Sequence, residues 1–328
     1  MKRIIRITAI SLIAFILAEL AMVTSIYAQE IELEPQEYHI VVDKNGNGDY
    51  KTIQDAVNNA EPGSIIYVKN GEYKEIIDIK KQITLLGEDK NYTLINPISD
   101  KNKYAVRLGA PGLILKGLSI KNGAPGLYTS TIRVTSSNTE IRDCNIYETP
   151  VGIVVWTSNN IIDNCNFWGC TDEGIALIGT SYSDCSNNKI TNCVFRQNCD
   201  GIELQFSSSN TITDCKIYDN SHSGIDAISS SNDNNIISNC EIYNNEVHGI
   251  YLSSSSENQI IECSIYDNDD GNIIMSGMSE NNQIISNSDS NTEDSKVNFG
   301  ERMFNFLSIT SNPIVERLIS ILSSFISF

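Results

Sequence analysis

One phrase recurs along the 328 residues of this chain and limits its fold more than any other feature. It reads Asn-x-Ile-x-x-Cys-x-Ile-Tyr, then an Asn, then Gly-Ile-x-x, and residues 211–229 are one copy. The cysteine slot holds Cys144, Cys165, Cys193, Cys215, Cys240 and Cys263, at steps of 21, 28, 22, 25 and 23 residues. A glycine follows each, as Gly152, Gly174, Gly201, Gly224, Gly249 and Gly271. One such unit cannot bury an apolar face alone, so copies must stack as a solenoid.

Each copy contains three short apolar stretches, in the Cys215 copy residues 211–213, 215–218 and 224–228. Strand side chains alternate, so Cys215 and Ile217 are predicted to face inward and Lys216 and Tyr218 outward. Three further columns follow. Asn160, Asn188, Asn210, Asn235, Asn258 and Asn282 form one, and Asn198, Asn220, Asn245 and Asn268 form a second, with Thr149 and Cys170 in its earlier slots. Stacked amides hydrogen-bond to one another and to turn backbone, so both read as ladders. The third column is Tyr147, Trp168, Arg196, Tyr218, Tyr243 and Tyr266, read as an aromatic stack or, alternatively, a sugar-binding stripe. The six slot cysteines are expected inside as small hydrophobes. Cys170 and Cys199 fall nearly together in consecutive repeats, within reach of a disulfide, and Cys185 is left over.

The ends differ from the repeats. In residues 1–28, Lys2, Arg3 and Arg6 precede an apolar run that ends near Ala28, the pattern of an export signal; an uncleaved membrane anchor is the rival reading. After a linker at 29–37, residues 50–59 place Ile53, Ala56 and Val57 on one helical face, predicting a helix that caps the first coil and shields its strand edges. Residues 38–111 read as this cap and early, less regular coils, and 112–288 as regular ones. An acidic linker follows at 289–302. Residues 303–328 predict an amphipathic C-terminal helix, a lid on the last coil or a contact for a membrane surface or partner. A net charge of -18 argues against nucleic acid or an anionic membrane as a partner, because phosphate binding needs a basic face.

These phrases resemble the right-handed parallel β-helix repeat of the pectin-lyase-like superfamily, most closely its NosD-like periplasmic and surface proteins. The likeness implies an all-β fold, a single-stranded right-handed parallel β-helix, in an exported protein of the periplasm, cell surface or exterior. Residues 41–75, VVDKNGNGDYKTIQDAVNNAEPGSIIYVKNGEYKE, resemble the opening of pectin methylesterases. That family's catalytic aspartates lie in Gln-Asp-Thr and Asp-Phe-Ile-Phe-Gly phrases, and neither occurs here. The Asn-Thr-Asp, Asp-Asp and Gly-His-Gly set of polygalacturonases is missing too, so the likeness carries a fold and no reaction.

Chemistry is expected where the repeat is broken. The residue after Gly-Ile is predicted to face solvent, and down the stack it reads Val154, Ala176, Glu203, Asp226, Tyr251, Ile273. Glu203 and Asp226 are thus neighbours on adjacent coils about 4.8 Å apart. Two carboxylates so placed raise one pKa and suit acid/base glycosidase chemistry. They also suit Ca2+, or they are simply a solvated acidic face. The candidates are Glu203, Asp226 and His248 for catalysis, Asp200, Tyr251 and Trp156 for substrate, and Asp226, Asp270 and His222 for a metal. His222 and His248 with Asp226 also suit copper, a reading that the NosD likeness favours. Between Lys216 and Lys296 there is no lysine or arginine. A lyase acting on polyuronate must neutralise a carboxylate there, so it would need a calcium bridge; otherwise the glycan is neutral. Arg133, Arg142, Lys189, Arg196 and Lys216 can serve only the near end. The expected role is to bind or process extracellular carbohydrate, as a hydrolase or lyase, or else as a non-catalytic surface or adhesion module.

Overall fold

The computed structural model describes residues 38–97, 103–124, 129–180, 185–229, 231–288 and 292–294. The segments read as export signal, first linker and C-terminal helix lie outside them. Among the described residues, no helix is long and apolar enough to cross a membrane.

Three parallel sheets of 11, 9 and 10 strands run along the chain among the described residues. Each coil gives one strand to each sheet in turn. Thr211–Thr213 lies in the first, Lys216–Tyr218 in the second and Ile225–Ala227 in the third, and Ile236–Ser238 returns to the first. Register places isoleucine over isoleucine, with Ile212 beside Ile237, Ile217 beside Ile242 and Ile225 beside Ile250. Each is fully buried or nearly so and contributes about 1.5–3 kcal/mol. A slip of one residue would turn this column outward, which fixes the register.

The coils begin earlier than the regular phrase. Ile66, Leu85, Leu115 and Ile141 are already register partners down the first sheet. Irregularity there lies in the slot residues, with Leu118 buried where later coils carry cysteine. Strand Gly71–Tyr73 is an addition to the sequence reading. The helix spans Ile53–Asn59 and buries Ile53, Ala56 and Val57, as the periodicity predicts. It starts after residue 50 because Tyr50 bridges to Val42 and Thr52 is extended. Glu75 accepts the first free N–H groups, from Ile53 at 2.8 Å and Gln54 at 2.9 Å.

Both asparagine ladders form. In the first, each side-chain amide donates to the Oδ1 of the next coil's asparagine, at 2.9 Å from Asn160 to Asn188 and 3.2 Å from Asn210 to Asn235. The same Oδ1 also accepts the backbone N–H of the preceding asparagine, at 2.9 Å in both pairs. The second runs from Asn198 through Asn220 and Asn245 to Asn268. At the corner before each slot cysteine, Asp143, Asn164, Asn192, Asp214, Asn239 and, in the last, Glu262 hold φ between 51° and 54°. Aspartate and asparagine tolerate this left-handed turn better than other side chains. The glycine column has a different cause. A Cβ on Gly201 would lie 2.5 Å from the carbonyl oxygen of Gly224, and one on Gly224 would lie 2.6 Å from that of Gly249.

The six slot cysteines are buried, and burial pushes the Cys144, Cys165 and Cys193 thiols well up. The disulfide between Cys170 and Cys199 is a correction: all nine cysteines are free. Cys170 is level with Asn198, whose Oδ1 accepts its N–H at 3.1 Å, and Cys199 comes one residue later, which takes its side chain out of line. The aromatic column stacks face to face, Tyr218 on Tyr243 and Tyr243 on Tyr266 at 5.1 Å. Arg196 lies 5.4 Å over Trp168, which stacks on Tyr147. Neighbouring rings therefore occupy the faces on which a sugar would rest, and the column is scaffold.

Candidate functional site

The third sheet turns two columns of side chains away from the core on the same strands. In one, Arg107, Arg133, Val154, Ala176, Glu203, Asp226, Tyr251 and Ile274 are successive register partners. Ile274, not Ile273, follows Tyr251 in the series, because Asn272 takes the glycine slot beside Gly249 and Gly271 stands one residue earlier. The other column comprises the residues just before the glycines, including Val151, Glu173, Asp200, Ser223 and His248. Glu173 is the register partner of Asp200.

This face is not open to solvent as the alternation suggested. Asp226 is 3% exposed and Glu203 9%, and Asp200, Glu173 and His248 are also buried. Sequence reasoning missed Glu173, although it precedes Gly174 as Asp200 precedes Gly201. Burial, then the Glu203 charge, pushes the Glu173 carboxyl up to about 10. Burial also raises Glu203, to about 7, while its hydrogen bond with Glu173 opposes the rise. Burial and the neighbouring carboxylates thus favour the protonated form of Glu173. Asp172 is raised by burial as well.

Around Asp226 the contacts are charge-assisted. His222 Nδ1 lies 2.8 Å from Asp200 Oδ1 and 3.6 Å from Asp226 Oδ2. The bond to Asp200 raises the imidazole pKa above its ordinary value, against the opposing effect of burial. Asp200 also accepts the Ser223 N–H at 2.7 Å, which fixes the carboxylate against the turn. One oxygen or nitrogen from each of Asp200, His222 and Asp226 lies within 4.8 Å of the others. His248 is outside that group: its Nδ1 is 3.4 Å from Ser223 Oγ and its ring stacks on Tyr251 at 5.0 Å. Asp270 is exposed and also lies outside it. Tyr251 meets Ser276 Oγ at 2.7 Å. Trp156 packs on the apolar patch of Val151, Val154 and Ala176, on the N-terminal side of the carboxylates.

The sheets and their columns define a parallel β-helix with a carboxylate-lined outer face. A family model described as the right handed beta helix region matches residues 85–236, and one described as periplasmic copper-binding protein (NosD) matches residues 177–314. A probable pectinesterase/pectinesterase inhibitor of Arabidopsis thaliana is 27% identical over 161 residues, covering 39% of this chain and 31% of its own length. A pectinesterase of Daucus carota is 26% identical over 163 residues, covering 45% and 51%. The chain thus spans between a third and a half of these relatives. Among solved structures, the enzymatically active domain of bacteriophage CBA120 tailspike protein 2 aligns with a TM-score of 0.55 at 14% identity, over 72% of this chain and 40% of that one. Pectate lyase Pel9A aligns at 0.50 and 14%, over 79% and 78%. The chain carries the right-handed parallel β-helix fold, and in sequence it is similar to these pectinesterases over part of its length.

Copper, named by one family model, can be tested on the donors present. One imidazole and two carboxylates suit a divalent ion that takes nitrogen and oxygen ligands. They fit less specifically than two imidazoles would, since His248 stands a coil away.

Proposed function

We propose that this chain binds and hydrolyses an extracellular polysaccharide on the outer face of its third sheet. The observation that carries the reading is the register pairing of Glu203 with Asp226, both buried, with the buried Glu173 carboxyl on the same face. Glu203, raised to about 7, serves as the acid that protonates the leaving oxygen. Asp226 supplies the base or nucleophile, and Asp200 orients His222 beside it. Hydrolysis is favoured over elimination because residues 217–295 contain no lysine or arginine to neutralise a uronate carboxylate at the cleavage point. The pectinesterase relatives support a carbohydrate substrate, and the periplasmic family match supports export. Incubation with a polysaccharide panel, with reducing ends counted, tests the reading. Glu203→Gln and Asp226→Asn should each lower turnover by about 100-fold or more with the fold intact. Unchanged turnover in both variants, or no glycan bound, would sink it.

A second reading is a divalent-metal module built on Asp200, His222 and Asp226, favoured by the spacing of their donor atoms. Copper and calcium are the ions to try, each against a chelated control. Uptake of one ion per chain, lost in His222→Ala and Asp200→Asn but kept in His248→Ala, supports it. Equal uptake in all four proteins rules it out.

A further inference from the structure

Phe206 follows the strand Asp200–Gln205 that carries Glu203, at the corner where the chain leaves the third sheet. At about 3.3 Å per residue it stands about 10 Å from Glu203 along the strand. Its φ is 47°, in the left-handed region. Among the described residues, every other non-glycine residue with a positive φ is Asn, Asp, Ser, Gln or Glu. Phenylalanine has no side-chain oxygen or amide to hold such a turn, and its Cβ crowds the backbone there. Register carries this corner on to Ser229, Ser254 and Gly277, and Gly277, at φ 69°, is the residue that this conformation favours. Burial does not offset the strain, since Phe206 is 44% exposed whereas Phe167 and Phe195 are fully buried. The Phe206 N–H donates to Ser229 Oγ at 3.1 Å, which fixes the corner to the next coil. Ile178 and Ile228 lie level with Gln205 on the coils either side, and Ile228 is also exposed. An apolar rim with a strained aromatic therefore borders the acid face.

We propose that Phe206 is a sugar-stacking residue, presenting its ring to the C–H face of a neutral glycan unit close to the bond cleaved at Glu203 and Asp226. Backbone strain of this kind is kept where the side chain serves a ligand, because the folded chain alone gains nothing from it. An aromatic ring offers apolar contact without charge, so it recognises the shape of a sugar face. Selection by charge falls to Glu173, Asp200, Glu203 and Asp226, which repel an anionic unit. The rim and the acid pair share one strand, so a glycan seated on the carboxylates extends to the phenyl ring. This rests on the carbohydrate reading of the same face.

The test uses the Glu203→Gln protein, in which turnover is suppressed, and neutral hexasaccharides of glucan, mannan, xylan and galactan. Calorimetry identifies the sugar that binds. Phe206→Asn and Phe206→Gly in that background should each weaken its binding by about 10-fold, and Phe206→Tyr should keep it. With Glu203 restored, the same two changes should act on KM rather than on kcat. Thermal melting supplies a readout that a purely structural ring would reverse. Asparagine and glycine both suit a left-handed corner, so these variants should melt no lower than the parent. Unchanged binding, or melting lowered in both variants, overturns the assignment and leaves the carbohydrate reading standing. Failure of every hexasaccharide to bind overturns both.

Discussion

Two regions of this solenoid bury polar side chains, and they treat them in opposite ways. In the first asparagine ladder every amide meets an oxygen one coil on, and every Oδ1 accepts both a side-chain and a backbone donor, as between Asn188 and Asn210 at 3.0 and 2.9 Å. On the third sheet, Glu173, Asp200, Glu203 and Asp226 crowd acceptors of like charge into a buried patch, and burial favours a proton on Glu173. The ladder is a polar network satisfied at each step, so it repeats without cost. The carboxylate patch opposes folding at neutral pH, and it does not repeat. A feature that costs stability and occurs once in a periodic structure is where function is best sought.

The largest effect should come from breaking the ladder. Asn210→Leu strips an acceptor from both the backbone and the side chain of Asn188, and removes the donor to Asn235. The Asn188 backbone donor left unpaired, and its side-chain amide left with only Cys185 Sγ, cost about 3 kcal/mol in total. Urea unfolding should show a loss of that order at every pH, because no titrating group is involved. A loss below about 0.5 kcal/mol would mean the ladder is no more than decoration.

The ladders were legible in the sequence because a stacked amide needs the same residue at the same place in every coil. Inward columns share that property, and so Cys215, Ile217 and Asn210 could be assigned from one chain. The corner residues Asp143, Asn164 and Asn192 carried a signal too, but a positive φ is identified by backbone sterics and not by hydrophobic period. Glu173 escaped notice because attention fell on the residue after each Gly-Ile, where its own coil carries Ala176. The burial of Glu203 and Asp226 could not be read at all. Alternation tells which way a side chain points, whereas its exposure depends on neighbours from coils more than 20 residues away, such as Glu173 and Asp200. Gly271 misled for a related reason: it kept the spacing by one residue while Asn272 took the slot against Gly249.

The next effect should have the opposite sign. Glu203 has an ordinary value of 4.5 when unfolded and is raised to about 7 when folded. Its folded form thus holds the proton more tightly, so stability is greatest below about pH 4.5 and declines as pH rises toward 7. Glu203→Gln removes that decline and relieves Glu173 as well. The variant should therefore match the parent near pH 4 and exceed it at pH 8, by on the order of 2 kcal/mol. Thermal unfolding at both pH values reads this directly. A variant that is weaker than the parent at pH 8 would show that Glu203 is held in a stabilising network, and the contrast with the ladder would collapse.

The smallest effect sharpens the contrast within the third sheet itself. Asp78 sits on the same outer face, but Arg107 beside it, through the paired hydrogen bonds, holds its carboxyl below the ordinary 3.8. Here the folded form binds the proton less tightly than the unfolded one, so the contribution is present above about pH 3.8 and is lost as pH falls through the folded value. The pair is about a quarter exposed, with side-chain accessibilities of 30% and 26%, so screening limits its worth to below about 1 kcal/mol. Asp78→Asn should cost that amount at pH 6 and little at pH 2, the reverse of the Glu203→Gln profile. It should also shrink in 1 M salt, whereas the buried Glu203 effect should persist. If both variants shifted stability in the same direction across this pH range, net charge alone would explain them. Opposite slopes from two carboxylates on one face require that local surroundings, a cation for Asp78 and buried acids for Glu203, set each one's protonation.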